Sequence, residues 1–360
     1  MNKPKIDESQ LKIVDGMIDW VRVVNKNNVV LYANKRMKED LGDITGRLCH
    51  DIFCTGKKCE SCISKTTIND GSIMQKEATI NDKTYMVISS PLKDISNEIV
   101  CSVEVFRDIT KEKELTQSIR EKNKKMSDDI NFARNMQIRM LPPKGMYNGL
   151  KIDYLYESSE QLSGDFFDVF KIDDENTGVY ICDVVGHGVT ASLLTVFVRQ
   201  SLRTIAKGNI ELNKIMKELH KTFLSLNLDY DRYFSVFLGI YNKTTHEFKY
   251  INAGHNSEPI LLKNSGDINL LQSKGYPIAN IFDNVKYEEK STSLEVGDKL
   301  FLYTDGITEA CHDEKGQYGI NRLIDIIKNK GDILNNLKNS LNEYCVDHKD
   351  DYAILMTEII

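Results

Sequence analysis

The chain has 360 residues, 41% of them hydrophobic and 28% charged, which is enough for two or three domains and excludes disorder, collagen and coiled-coil-only architectures. Lys and Arg total 47 against 53 Asp and Glu, a net charge of −6, so there is no general electrostatic pull toward nucleic acid. The longest clean apolar stretch, Val189 to Val198, is half of the ~20 residues a membrane span needs, and the first residues carry no apolar signal core. These features predict a soluble, cytoplasmic protein with no membrane partner.

Residues 10–110 read as a small α/β unit. Val21–Val24 and Val29–Tyr32 are β-rich runs around a polar Asn25-Lys26-Asn27-Asn28 hairpin signal. A helix-prone stretch containing Gly42 and Gly46 follows, then strands near 83–90 and 99–107. Within it, Cys49, Cys54, Cys59 and Cys62 place four sulfurs in 14 residues. In a cytosolic protein such a cluster suggests zinc, an iron–sulfur cluster or a dithiol switch rather than structural disulfides, against the plainer reading of four reduced thiols.

Residues 111–141 form a helical or coiled-coil linker. No Gly or Pro occurs from Asp108 to Leu141, and Ile119, Met126, Ala133 and Met140 recur every seventh residue. The intervening a positions are mostly polar, so a weak two-stranded coil and a single amphipathic helix packing on its own domain both fit. Pro142-Pro143 ends the helix.

Residues 145–360 mix strand-like runs (178–183, 234–241, 247–251, 259–262, 299–304, 352–358) with helical patterns at 191–206, 213–226, 320–328 and 334–345. Short polar connections between neighbouring strands favour antiparallel hairpins and an α+β domain over βαβ units. Four carboxylate motifs sit where apolar runs meet loops: Ser163-Gly164-Asp165 with Asp168, Cys182-Asp183-Val184-Val185-Gly186-His187-Gly188, Tyr303-Thr304-Asp305-Gly306, and Asp350-Asp351. Each alone is an ordinary turn or helix cap. Together they form a set of hard oxygen donors without a His/Cys partner set, which points to Mg²⁺ or Mn²⁺ rather than zinc.

These motifs carry a resemblance. Ala133-Arg-Asn-Met-Gln137 with Met140-Leu141-Pro142, Ser163–Asp168, Asp183–Gly188 with Ala191, Tyr250–Asn256, Tyr303–Ala310 and Asp350–Ala353 stand in the order of the SpoIIE-type bacterial protein phosphatases, a branch of the metal-dependent type 2C (PPM) serine/threonine phosphatases. The resemblance covers roughly residues 130–360 and implies an αββα sandwich of two antiparallel sheets flanked by helices. It implies two Mn²⁺ or Mg²⁺ ions, with Asp183 bridging and Asp165, the carbonyl of Val184, Asp305 and Asp350 completing the shells. Asp350 is preferred to Asp351 because it aligns with the first of the family's acidic pair. Asp183 and Asp305 are the catalytic positions, and His187 and His255 are read as structural. Val185 and Ala353 depart from the family's usual Ser and Thr, without removing a carboxylate. The implied substrate is a phosphoserine or phosphothreonine protein, an anti-anti-sigma (STAS-type) regulator. Residues 10–110 resemble a PAS sensor domain, down to the exit motif Asp108-Ile109-Thr110, which implies a homodimer through that unit and the linker helix.

Three rival readings remain to be weighed against the fold. Cys101 to Arg107 fits the Cys-x5-Arg pattern of cysteine phosphatases, but the segment lacks glycine and alternates like a strand. A histidine kinase is disfavoured because the helix from 108 to 141 has no histidine. The third is a catalytically silent scaffold that binds a regulator through the phosphatase fold.

Overall fold

The computed structural model describes residues 8–53, 59, 62–159, 161–281, 285–312, 315–329, 331–345 and 350–360, without the side chains of 8–11. Chain contacts divide it into two compact units, 1–125 and 126–360. The division falls inside one long helix.

The first unit contains α1 (Glu8–Asp15), β1 (Trp20–Asn25), β2 (Val30–Ala33), α2 (Lys35–Leu41), α3 (Cys49–Phe53), α4 (Ile63–Asp70), β3 (Met74–Ile80), β4 (Lys83–Lys93) and β5 (Ile99–Asp108). The strands form one antiparallel sheet in the order β2-β1-β5-β4-β3. Hydrophobic alternation selects the face that packs under the helices, where Trp20, Val24, Met37, Tyr85 and Phe106 are buried. Asn34 fixes the entry to α2: its Oδ1 accepts from Met37 N at 3.1 Å and from Val21 N at 3.0 Å. α4 stops at Gly71, whose φ of 72° is the left-handed C-cap conformation.

α5 (Thr110–Met140) starts at the sheet's last strand. Asp108 accepts from the N–H and hydroxyl of Thr110, and these bonds, with Lys83, hold its carboxyl down at about 2. Of the heptad positions, Ile119 and Met126 are exposed, as are Leu115 and Phe132, whereas Met140 is partly buried.

The second unit contains β6 (Gly145–Tyr147), β7 (Leu150–Glu157), β8 (Asp165–Lys171), β9 (Asn176–Val184), α6 (Gly188–Ile205), α7 (Leu212–Leu224), β10 (Tyr233–Asn242) and β11 (Glu247–Ala253). It continues through β12 (Ile260–Leu262), β13 (Ile268–Leu270), β14 (Ile278–Ala279), β15 (Lys290–Ser293), β16 (Lys299–Tyr303), α8 (Asp305–Thr308), β17 (Cys311–His312), β18 (Gly316–Gln317), α9 (Gly319–Lys328), α10 (Ile333–Tyr344) and β19 (Tyr352–Ile359). Two six-stranded antiparallel sheets result, β15-β11-β10-β9-β8 with β14 beside β10, and β13-β12-β16-β19-β7-β6.

Three apolar clusters define the layers. Phe166 and Val236 of the first sheet pack on Val198 of α6 and Leu219 of α7. Phe167, Ile181 and Phe237 meet Ile152, Leu302 and Leu355 between the sheets. Phe301 and Ile354 on the far side of the second sheet pack on Leu323 of α9 and Leu337 of α10. The order is helix, sheet, sheet, helix. Strands β7 and β8 were not anticipated from the sequence, and the helix expected at 191–206 begins three residues earlier, at Gly188.

Candidate active site

The strand ends that meet at one edge of the sandwich bring the carboxylates together. Asp165 opens β8 and is the register partner of Asp183 near the end of β9. Asp305 opens α8 directly after β16, and Asp350 and Asp351 precede β19, the neighbour of β16. All five line one cleft of about 920 Å³, along with Val184 and His187. One sheet contributes Asp165 and Asp183, and the other Asp305, Asp350 and Asp351.

Close backbone approach makes the convergence possible. A Cβ on Gly164 would lie 2.8 Å from the Val184 carbonyl oxygen and 2.9 Å from that of Gly186. A Cβ on Gly306 would lie 1.9 Å from the Asp351 carbonyl oxygen. Both positions therefore need glycine. Thr304 N donates to Ala353 O at 3.0 Å and Ala353 N donates to Thr304 Oγ1 at 2.9 Å, which locks the Asp305 turn to β19.

The two residues of the terminal acidic pair differ. Asp351 is buried and its carboxylate is already engaged: Oδ1 accepts from Ser159 N at 2.8 Å and Ser159 Oγ at 2.9 Å, and Oδ2 from Gly164 N at 2.8 Å. It ties the Asp165 loop to the second sheet. Asp350 is exposed at the cleft and holds the N–H of Asp351 through Oδ1. Asp350 thus keeps its carboxylate at the open cleft, while Asp351 positions the Asp165 loop, a role that its place in the sequence did not reveal.

The electrostatics favour a cation. Burial, reinforced by the Asp183 charge, raises the Asp165 carboxyl well above its ordinary value. Its Oδ2 is buried without a hydrogen-bond partner among the described residues. Asp183 is pushed up to about 7, by burial first and then by Asp305, Asp350 and Asp351. Asp350 is raised by partial burial and then by Asp305 and Asp351, against a lowering from His187. Like charges held this close repel unless a proton or metal intervenes. An orphaned buried carboxylate oxygen in an all-oxygen donor set fits Mg²⁺ or Mn²⁺. Among the described residues no three His, Cys, Asp or Glu side chains already stand as a closed ion shell, so the carboxylates line a shared cleft rather than a finished cage.

The remaining expected residues fall elsewhere. Asp168 faces away from the cleft, where Arg203 Nε and Nη2 of α6 donate to it at 2.6 and 2.9 Å and Arg199 stands at 3.4 Å. His255 is buried, with Nε2 3.0 Å from Tyr303 O and Nδ1 3.3 Å from Ser235 Oγ, and burial lowers it to about 4. It is a neutral tie between the sheets. Cys101 lies on β5, buried, with its thiol raised by that burial, so no phosphate-cradling loop follows it. Cys49, Cys59 and Cys62 border a cavity in the first unit, and Cys54 lies outside the described residues.

Gln137, near the end of α5, is a residue whose role the sequence did not disclose. It is buried, its Nε2 donates to Ser163 O at 2.8 Å and Thr195 Oγ1 at 3.2 Å, and its Oε1 accepts from Ser163 N at 3.2 Å. The helix end is thus clamped two residues from Asp165.

Known proteins resemble this chain in sequence and in fold. The family model described as stage II sporulation protein E (SpoIIE) matches residues 173–360. Phosphoserine phosphatase RsbU of Bacillus subtilis (strain 168) is 27% identical over 201 residues, 56% of this chain and 59% of that protein. Phosphoserine phosphatase RsbP of the same organism is 30% identical over 192 residues, 51% of this chain and 47% of that protein. The chain thus spans about half the length of the curated relatives it matches. Among solved structures, the SiaA-PP2C domain of Pseudomonas aeruginosa aligns with a TM-score of 0.57 at 20% identity, over 66% of this chain and 98% of that one. The PP2C phosphatase domain with a regulatory fragment of SpoIIE from Bacillus subtilis aligns with a TM-score of 0.51 at 14% identity, over 80% and 82%. At these identities the likeness is one of fold.

Proposed function

The chain belongs to the SpoIIE family, and from that premise we propose that it is a metal-dependent protein serine/threonine phosphatase whose first unit is a PAS-type sensor. The observation that carries the reading is the cleft in which Asp165, Asp183, Asp305 and Asp350 converge with one buried oxygen unpartnered.

Asp183, Asp165, Asp305, Asp350 and the Val184 carbonyl would hold two Mn²⁺ or Mg²⁺ ions. Bound there, the ions would activate water at neutral pH and neutralise charge on the transferring phosphoryl group. The protein's own part is positioning. Asp351 and Gln137 hold the Ser163-Gly164-Asp165 segment from two sides. The Thr304–Ala353 bonds hold Asp305. The open cleft leaves room for a phosphorylated side chain presented by another protein. The proposed substrate is a phosphoserine or phosphothreonine regulator of anti-anti-sigma (STAS) type; its phosphoserine part is supported by the relatives RsbU and RsbP, which are named phosphoserine phosphatases.

The sheet order β2-β1-β5-β4-β3 with helices between β2 and β3, and the Asp108–Thr110 exit turn into α5, support the PAS assignment over 10–110. The proposed division continues with a linker at 111–141 and a phosphatase domain at 145–360. Exposed Leu115, Ile119, Met126 and Phe132 on α5 support a homodimer formed along that helix. No described helix is long and apolar enough to cross a membrane, and a cytoplasmic site is proposed.

The test is hydrolysis of a phosphoserine protein and of p-nitrophenyl phosphate by the full chain with Mn²⁺, with EDTA, and as Asp305→Asn. Turnover that requires Mn²⁺ and falls at least ~100-fold in the variant is expected, given the size of such electrostatic contributions. Turnover indifferent to EDTA would sink the metal mechanism. No turnover on either substrate, by the full chain and by residues 130–360 assayed alone, would favour the silent scaffold, whereas an active fragment would make the first unit an off switch.

A further inference from the structure

The first unit holds a second feature that the phosphatase reading does not use. A cavity of about 130 Å³ lies between the sheet and helices α3 and α4. At its wall Arg22 of β1 pairs with Glu104 of β5, Nε to Oε2 at 2.6 Å, with side chains only 7% and 1% exposed. Glu104 is fully committed, because its other oxygen accepts from Ser64 Oγ. Arg22 is not. Its guanidinium stacks over the rings of Phe53 and Phe106, each 5.0 Å from the centroid, and Nη1 is buried with no hydrogen-bond partner among the described residues.

A buried cationic N–H left unpaired is costly, and here it borders a cavity rather than packed atoms. Among the described residues the formal charges at the wall are Arg22 and Lys76 against Glu104, which leaves one net positive charge. The rest of the described lining carries no charge: Ile63, Ile80 and Val87 are apolar, Ser64 and Thr79 are hydroxyls, and the Cys49 thiol is raised to about 11 by burial. A cavity of ~150 Å³ accommodates benzene, six non-hydrogen atoms, so this one takes a ligand of that size or smaller.

We propose that this cavity binds a short-chain monocarboxylate, two to four carbons long, with a carboxylate oxygen accepting from Arg22 Nη1 and the alkyl end against Ile63, Ile80 and Val87. One negative charge balances the wall. A dicarboxylate brings a second charge with no partner, and a neutral amide forgoes the charge-assisted bond. The first unit would then report a small organic acid, and this holds whether or not the second unit is a phosphatase.

The experiment is calorimetric titration of the full chain with acetate, propionate and butyrate, and with butyramide, succinate and hexanoate as controls. The three short acids should bind, and butyramide, succinate and hexanoate at least tenfold more weakly. Two variants test the site independently. Ala78→Leu fills the cavity without touching the ion pair, and Arg22→Met combined with Glu104→Gln removes both charges together, so neither is stranded. Each should abolish butyrate binding, with emission from Trp20, which sits in the same core, confirming that the unit is folded. Should the charge-free pair fail to fold, Ala78→Leu decides alone. No binding of any short acid, butyramide as tight as butyrate, or undiminished binding in Ala78→Leu would each overturn the proposal.

Discussion

Replacing Asp183 with asparagine should stabilise the metal-free protein while abolishing turnover. Asp183 moves from 3.8 to about 7 on folding, by burial and by the three facing carboxylates. A carboxyl whose folded value lies above its unfolded one holds extra protons in the native state, so stability is full below about pH 4 and declines as pH rises toward 7. At about 1.4 kcal/mol for each tenfold in proton affinity, the ceiling is about 4 kcal/mol at pH 8. Counterions in an open cleft screen part of this, which leaves about 2 kcal/mol. Urea unfolding in EDTA, followed by circular dichroism at pH 5 and pH 8, should show the wild type losing stability between them and Asp183→Asn losing much less. The single tryptophan, Trp20, lies in the other unit, so its fluorescence transition should not move. Mn²⁺ should then reverse the ranking, because only the wild type gains from binding it. If Asp183→Asn is no more stable than wild type at pH 8 without metal, the mutual-repulsion account of the cleft is wrong.

Gln137→Leu strands the buried Ser163 N–H and C=O, while the Thr195 hydroxyl keeps its bond to Ser192 O, and should cost about 2–4 kcal/mol in urea unfolding. Phosphatase turnover should fall with it, since Asp165 is two residues from the lost clamp. Gly164→Ala drives a methyl against two backbone oxygens that cannot swing aside, and should weaken Mn²⁺ affinity at least ~10-fold by calorimetry. Arg203→Met leaves the buried Asp168 with the Val169 N–H at 3.0 Å and Arg199, at 3.4 Å, as its remaining cation among the described residues, and should cost about 3 kcal/mol, most of it recovered when Asp168→Leu is added.

Much of this architecture was legible in the sequence because its signals are local. The runs at 234–241 and 247–251 are separated by a short polar turn, and they pair as β10 and β11. The Asp-Gly and Gly-Asp motifs marked strand ends, and those strand ends are where the carboxylates converge. Strand β8 was missed because it is buried on both faces, so it shows a continuous Phe-rich run rather than a polar alternation. Its period of two nevertheless separates Asp168, on the side of Phe166 and Phe170 that faces α6, from Phe167 and Val169 between the sheets. β3 has polar residues on its exposed positions and few β-formers, a weak signal at an edge. The roles of Asp351 and Gln137 could not be read at all, since each depends on partners 187 and 26 residues away in the chain.

The place of β19 in its sheet has a bearing on how the protein is made. This strand, the last in sequence order, lies between β16 and β7, so the second sheet has a gap at its middle until residues 352–359 are available. Asp350 arrives with it. Until β19 pairs, β7 and β16 each keep an unpaired edge, exposed to wrong partners, and the Asp305 turn lacks its tie to Ala353. Asp350 and the Ala353 tie that holds the Asp305 turn both come with β19, so the carboxylate cleft is complete only once this strand has inserted between β16 and β7.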